Sequence, residues 1–122
     1  DVYKRQVLTA MSMATRIGVI AIAGASVPRH LRYFRQMGVA DRICAELALD
    51  MKVSDLANAD LAFARMVSVG KTLRDAHGAD VLIMGCAGMA DLRDQLEDAC
   101  GLPVVEPTQA AVAMAAGRLF SR

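Results

Sequence analysis

Short, uninterrupted apolar runs that end in small-residue turns constrain this chain most. Residues 17–23 (IGVIAIA) and 81–84 (VLIM) carry no charge, and polar residues or glycine bracket them. Runs of this length suit strands buried on both faces, the habit of parallel sheets covered by helices. Between them lie helical segments. One follows Ser26, where a hydroxyl can cap free backbone N–H groups and Pro28 suits the helix start. It reaches about Met37, with Leu31, Phe34 and Met37 on one face, and Gly38 closes it. A second is capped by Asn58 and reaches about Ala76, with Leu61, Met66, Val69 and Leu73 as an apolar stripe; His77 and Gly78 close it. A third runs from Met89 to Ala99, with Leu92, Leu96 and Ala99 inward and Gly101 as its cap.

Residues 43–49 alternate, with Ile43, Ala45, Leu47 and Leu49 on one side and Cys44, Glu46 and Ala48 on the other, as in a half-buried edge strand. Residues 50–57 read as a loop, residues 103–105 as a last short strand, and residues 108–120 as an Ala-rich final helix after Pro107. Residues 7–14 (VLTAMSMA) read as the end of a buried helix. The order strand–helix repeated four times gives an α/β fold, a three-layer sandwich on a mostly parallel sheet. Residues 1–6 (DVYKRQ) are polar and resemble a non-native leader, so the domain is taken as residues 7–122.

Composition narrows the function. Fourteen Lys and Arg against 13 Asp and Glu leave a net charge of +1, which supplies no footprint for nucleic acid or an acidic membrane. No apolar run approaches a membrane span. Apolar residues make up 55% of the chain and aromatic ones 4%, so Ala, Val, Leu, Ile and eight Met must build the core. Three cysteines, an odd count with no Cys-x-x-Cys pair, argue against a disulfide framework or a zinc knuckle and fit a reducing cytoplasm.

Ligands of such sheets sit beyond the carboxyl ends of the strands. Two turns stand there: Gly24-Ala25-Ser26 and Gly85-Cys86-Ala87-Gly88. A thiol between a buried strand and a helix start lies where free N–H groups and the helix dipole favour a thiolate. The glycines let a ligand approach the backbone. The same N–H groups can hold a carboxylate or the oxyanion formed when an acidic C–H is deprotonated. A base beside an anion holder is what proton abstraction without a cofactor requires. A buried, inert cysteine is the competing reading.

Cys100, in a last helical turn, and Cys44, on an edge strand, read as non-catalytic, and His30 and His77 as helix-surface or helix-end residues. Asp91, Asp94, Glu97 and Asp98, with Arg93 among them, read as a solvated helix face. Neither a dinucleotide fingerprint, a Walker motif nor a nucleophile elbow is present.

Residues 78–92 (GADVLIMGCAGMADL) closely resemble the second cysteine motif of the hydantoin/allantoin racemases, within the aspartate/glutamate racemase superfamily. Residues 101–107 (GLPVVEP), the Ala-rich helix after them and Ser26-Val27-Pro28 are similar to the same family. The resemblance implies one lobe of a two-lobe fold with the active site in the cleft. Each lobe would supply one cysteine, one thiolate taking the α-proton and the other thiol returning one on the opposite face. It implies Cys86 as the second-lobe acid/base, with Ser26, Gly85, Ala87 and Gly88 holding a small-molecule substrate and no metal or cofactor. It leaves homo-oligomerisation of the full-length protein open. The first-lobe cysteine motif has no counterpart here, so the isolated chain is expected to be inactive. A thiol-dependent decarboxylase or cis–trans isomerase of the same superfamily, or a non-enzymatic anion-binding α/β module, stands as the alternative.

Overall fold

The computed structural model of the chain describes Leu8 and residues 16–84 and 92–106, with the backbone alone at Met37, Val53 and Leu56. The helices read at residues 7–14 and 108–120, the turn at residues 85–88 and the first residues of the third helix lie outside this set.

Strands β1 (Ile17–Ala21), β2 (Ile43–Ala48), β3 (Val81–Met84) and β4 (Val104–Val105) form one sheet in the order β2-β1-β3-β4. Every pairing is parallel, with Val19 opposite Glu46 and Ile83, and Ile83 opposite Val105. Helix α1 (Val27–Met37) lies between β1 and β2, α2 (Ala59–His77) between β2 and β3, and α3 (Arg93–Cys100) before β4.

Side chains of successive strand residues serve opposite faces, and the core divides accordingly. Ile17, Val19, Val81, Ile83 and Val105 meet Phe34 of α1. Ile20, Leu82, Met84 and Val104 meet Ala62, Met66 and Leu73 of α2 and Leu96 and Cys100 of α3. Helices on both faces of a parallel sheet give the three layers of an α/β sandwich, as the alternation of segments implies.

Two glycines let these layers approach. A Cβ on Gly18 would stand 3.0 Å from Ala79 Cβ and 3.2 Å from Leu73 Cβ, where α2 crosses β1. A Cβ on Gly70 would stand 2.7 Å from Cys100 Sγ, where α2 meets α3. Gly38, Gly78 and Gly101 end the three helices in the left-handed conformation, as read from the sequence. Arg16 reinforces the second of these ends: its Nε and Nη2 donate to the carbonyls of Gly78 and His77 at 3.1 and 2.6 Å. A cation there complements the helix dipole and satisfies carbonyls that have no partner within the helix.

Several expectations need correction. Ser26 does not cap α1 through its side chain; it sits in αR geometry within a short 3-10 turn, Gly24–Ser26, that runs into the helix. The buried face of α1 is His30 and Phe34, four apart, while Leu31 is 37% exposed. His30 is therefore not a surface residue. On α2, Leu61 is exposed, and Ala62 and Gly70 take the buried positions beside Met66 and Leu73.

The strict alternation of β2 fails at its start, because a register irregularity opposite Ile17 and Gly18 inserts Cys44 as an extra residue. Ile43 then packs toward α1, whereas Cys44, Ala45 and Leu47 pack toward α2. Residues 53–57 of the expected loop form a 3-10 turn. On α3, Leu96 and Cys100 are the buried pair, with Ala99 half-buried. Glu97 is more than a solvated charge: its Oε1 accepts from the Val104 backbone N–H at 2.9 Å and from Arg93 at 3.0 Å, tying α3 to β4.

Candidate active site at the carboxyl end of the sheet

The chain leaves β1 for β2 on one side and returns across β1 to β3 on the other. That reversal makes the carboxyl ends of β1 and β3 a topological switch point, the usual ligand position in open α/β sheets. β1 delivers the Gly24–Ser26 turn to this end. β3, buried along its whole length, ends at Met84, immediately before Gly85, Cys86, Ala87 and Gly88. These four site residues lie outside the described set. Ser26 is the one sequence-predicted site residue within it.

The geometry of Ser26 follows from its turn. Its N–H donates to Ala23 O at 3.1 Å and the Val27 N–H to Gly24 O, while its hydroxyl makes no capping bond. Ser26 is half-buried, and its hydroxyl is not engaged in holding the helix start. The N–H groups of Gly24 and Ala25 donate to no acceptor among the described residues. Among the described residues, then, these donors at the carboxyl edge of the sheet are unspent.

Two carboxylates stand at this edge that the sequence reading did not single out. Asp50 follows β2 by two residues and has a φ of 55°, left-handed for a non-glycine residue. Its Oδ1 lies 3.5 Å from where a Cβ on Gly24 would stand, so its carboxylate adjoins the turn. Glu106 follows β4 directly and is 3% exposed. Val105 before it pairs with Ile83, which sets Glu106 near the strand end where residues 85–88 begin. An Asp just beyond a strand, where short polar side chains tolerate positive φ, was the available signal for Asp50. Glu106 carried no signal of its own, because burial at a strand end is a tertiary property.

A third polar feature lies behind α1. Glu46 of β2 and His30 of α1 are buried together, Oε2 to Nδ1 at 2.5 Å, and Glu46 Oε1 has no hydrogen-bond partner among the described residues. Burial pushes the Glu46 carboxyl up from its ordinary value, and the His30 contact opposes that shift without cancelling it. His30 stands one helical turn after Ser26, so this pair anchors the start of α1 to the edge strand.

The described thiols are unsuited to acid/base work. Cys100 is fully buried, and burial raises its pKa against the pull of Arg74 and Lys71. Cys44 is half-buried, and burial raises its pKa more than Arg16 lowers it. Among the described residues no three His, Cys, Asp or Glu side chains cluster to hold a metal ion, and no helix is long and apolar enough to cross a membrane.

The chain matches known proteins across nearly its whole length. It is 33% identical over 114 residues to the hydantoin racemase of Rhizobium meliloti, covering 89% of this chain and 46% of that protein. It is 33% identical over 100 residues to the glutamate racemase of Shewanella oneidensis, covering 77% of this chain and 36% of that protein. The crystal structure of allantoin racemase from Pseudomonas fluorescens superposes with a TM-score of 0.91 at 27% identity, covering 98% of this chain and 51% of that one. The chain spans about half the length, or less, of these relatives. The Asp/Glu/Hydantoin racemase family model matches residues 3–115, and the chain belongs to that family.

Proposed function

We propose that this chain is the second lobe of a racemase that inverts an acidic α-carbon, with Cys86 as one of two cysteine acid/bases and no cofactor. The observation that carries the reading is that buried strand β3 runs directly into Gly85-Cys86-Ala87-Gly88 at the reversal point of a sheet of this family. The substrate is a hydantoin, allantoin or an amino acid, and the family relatives include racemases named for all three classes.

In this reading the Cys86 thiolate removes the α-proton, and the electron pair left on carbon delocalises onto the adjacent carbonyl oxygen. The backbone N–H groups of Gly85, Ala87 and Gly88 hold the charge that forms, and the Ser26 hydroxyl orients the substrate. A thiol from the first lobe returns a proton to the opposite face. Substrate and product then differ only in configuration, and the two thiols have exchanged protonation states. The protein acts on a small molecule in a reducing cytoplasm, without a nucleic-acid or membrane partner.

The test is solvent isotope exchange. The full-length protein carrying this sequence, incubated in deuterium oxide with a 5-substituted hydantoin or allantoin, should place deuterium at the α-carbon as optical rotation decays. Cys86→Ala should abolish both signals, and the isolated 122-residue chain should show neither. Loss of carbon dioxide, or double-bond isomerisation without α-exchange, would replace racemisation by another thiol reaction of the superfamily. Full exchange in the Cys86→Ala protein would refute the reading.

A further inference from the structure

We propose that His30 and Glu46 are positioning residues: their buried contact fixes how helix α1 sits on the sheet and, through the helix, where Ser26 stands. This rests on the racemase reading for the role of Ser26 and adds two residues that the reading does not use.

Ser26, His30 and Phe34 follow one another at intervals of four, and the backbone is already helical at Ser26, with φ −83° and ψ −18°. Side chains at this spacing share one helix face. Phe34 is buried at the far end of that face, where it meets Val19 and Ile83. Ser26 stands at the near end, at the carboxyl edge of the sheet, and His30 lies between them. A slide or rotation of α1 on the sheet therefore carries Ser26 with it.

The first turn of α1 has few other ties among the described residues. Ser26 makes no side-chain cap, and the first turn holds no acidic residue. The apolar cluster on this face takes Phe34 and Tyr33 from α1 and no described residue before them. His30 is the first buried residue of the helix, and its Nδ1 meets Glu46 Oε2 at 2.5 Å. Glu46 lies within β2, opposite Val19 of β1. Since β1 is the strand that runs on into the Gly24–Ser26 turn, the turn is held from both of its ends.

The chemistry of the pair points the same way. Apolar packing is non-directional, whereas a hydrogen bond fixes a distance and an angle. Stability alone does not call for such a pair, because apolar residues of similar size in place of a buried polar pair are often neutral or stabilising. This pair carries a visible penalty. Among the described residues, Glu46 Oε1 is the one buried side-chain oxygen or nitrogen without a hydrogen-bond partner, and burial pushes the Glu46 carboxyl up. A local loss of stability one helical turn from a substrate-contacting hydroxyl is the pattern of a site held in place for function.

The experiment uses the full-length protein carrying this sequence and replaces the pair as a unit. His30→Leu with Glu46→Leu removes both polar groups and should match or exceed the wild type in thermal stability. His30→Met with Glu46→Val, the valine suiting a strand, is a second form of the same test in case two leucines overpack. Amide hydrogen exchange, read by mass spectrometry without substrate, should quicken about tenfold across residues 24–29, the scale of one net hydrogen bond, while β1 and β3 stay protected. With allantoin or a 5-substituted hydantoin, kcat/KM should fall on the order of a hundredfold although the fold is stable. Ser26→Ala should lower activity in the wild-type background and lower it little further in the apolar double variant, because the pair acts through Ser26. Glu46→Gln, which keeps a hydrogen bond to His30, should retain slow amide exchange at residues 24–29 and most of the activity.

Wild-type amide exchange at residues 24–29 in a stable apolar double variant overturns the inference. So does a Ser26→Ala loss of the same size in both backgrounds. A wild-type protein that leaves the α-carbon proton in place would sink the racemase reading instead, and the amide-exchange comparison, which needs no substrate, would still decide whether the pair fixes the turn.

Discussion

His30 Nδ1 and Glu46 Oε2 lie 2.5 Å apart beneath helix α1, on the sheet face where Phe34 meets Val19 and Ile43. Besides Phe34, His30 is the described residue of that helix counted as buried, at 9% exposure, so the pair helps attach the helix to the sheet. Removing His30 would leave the buried Glu46 carboxyl without its hydrogen-bond partner among the described residues. His30→Ala should therefore destabilise the fold by about 3 kcal/mol, measured by urea denaturation.

The pH dependence follows from the raised carboxyl of Glu46. The folded state holds that proton more tightly than the unfolded chain does. Glu46 thus contributes stability that is present below its ordinary value of 4.5 and lost as pH rises through the higher folded-state value. Glu46→Gln cannot ionise, so its unfolding free energy should lack this decline. Denaturation midpoints of both proteins across the weakly acidic range check it; parallel curves would contradict the assignment.

The contact between α2 and α3 depends on Gly70. Alanine there is a better helix former by about 1 kcal/mol, but its Cβ would stand 2.7 Å from Cys100 Sγ. Overpacking costs about 1–3 kcal/mol, and the net effect should be destabilising. Adding Cys100→Ala removes the obstructing sulfur. The double variant should therefore be more stable than the sum of the single effects requires, a coupling visible in a double-mutant cycle.

Glu97 makes a separate prediction. Its carboxylate accepts the N–H of Val104, a residue 1% exposed at the start of β4. Glu97→Ala should leave that buried donor unsatisfied and cost about 1–3 kcal/mol, whereas Glu97→Gln keeps an acceptor and costs less. Amide exchange at Val104 should accelerate locally in the alanine variant.

The layered fold was legible because β1, β3 and the three helix-ending glycines write their roles locally. Apolar runs without charge become buried strands, and Gly38, Gly78 and Gly101 stop helices where a left-handed residue is needed. What the sequence hid depends on distant partners. Leu31 looks more apolar than His30, yet His30 is the inward residue, because only the folded sheet brings Glu46 to it. One inserted residue at Cys44 reverses the faces of the β2 start, and period-two counting cannot register it. Glu97 sits among exposed acids and was read as one of them, since its bond to Val104 forms only when β4 docks. At the candidate site the sequence supplied Ser26 and the cysteine turn. It did not supply Asp50, whose proximity to Gly24 arises from the pairing of β1 with β2.

The measurement that bears most directly on the account compares the three thiols of the native chain. Iodoacetamide labelling at stepped pH, read peptide by peptide in a mass spectrometer, gives the rate and midpoint of each. Cys86 should be modified first, with a midpoint below the ordinary thiol value of 9.0, while Cys44 and Cys100 lag above it. A Cys86 that reacts no sooner than buried Cys100 would contradict its assignment as the catalytic base.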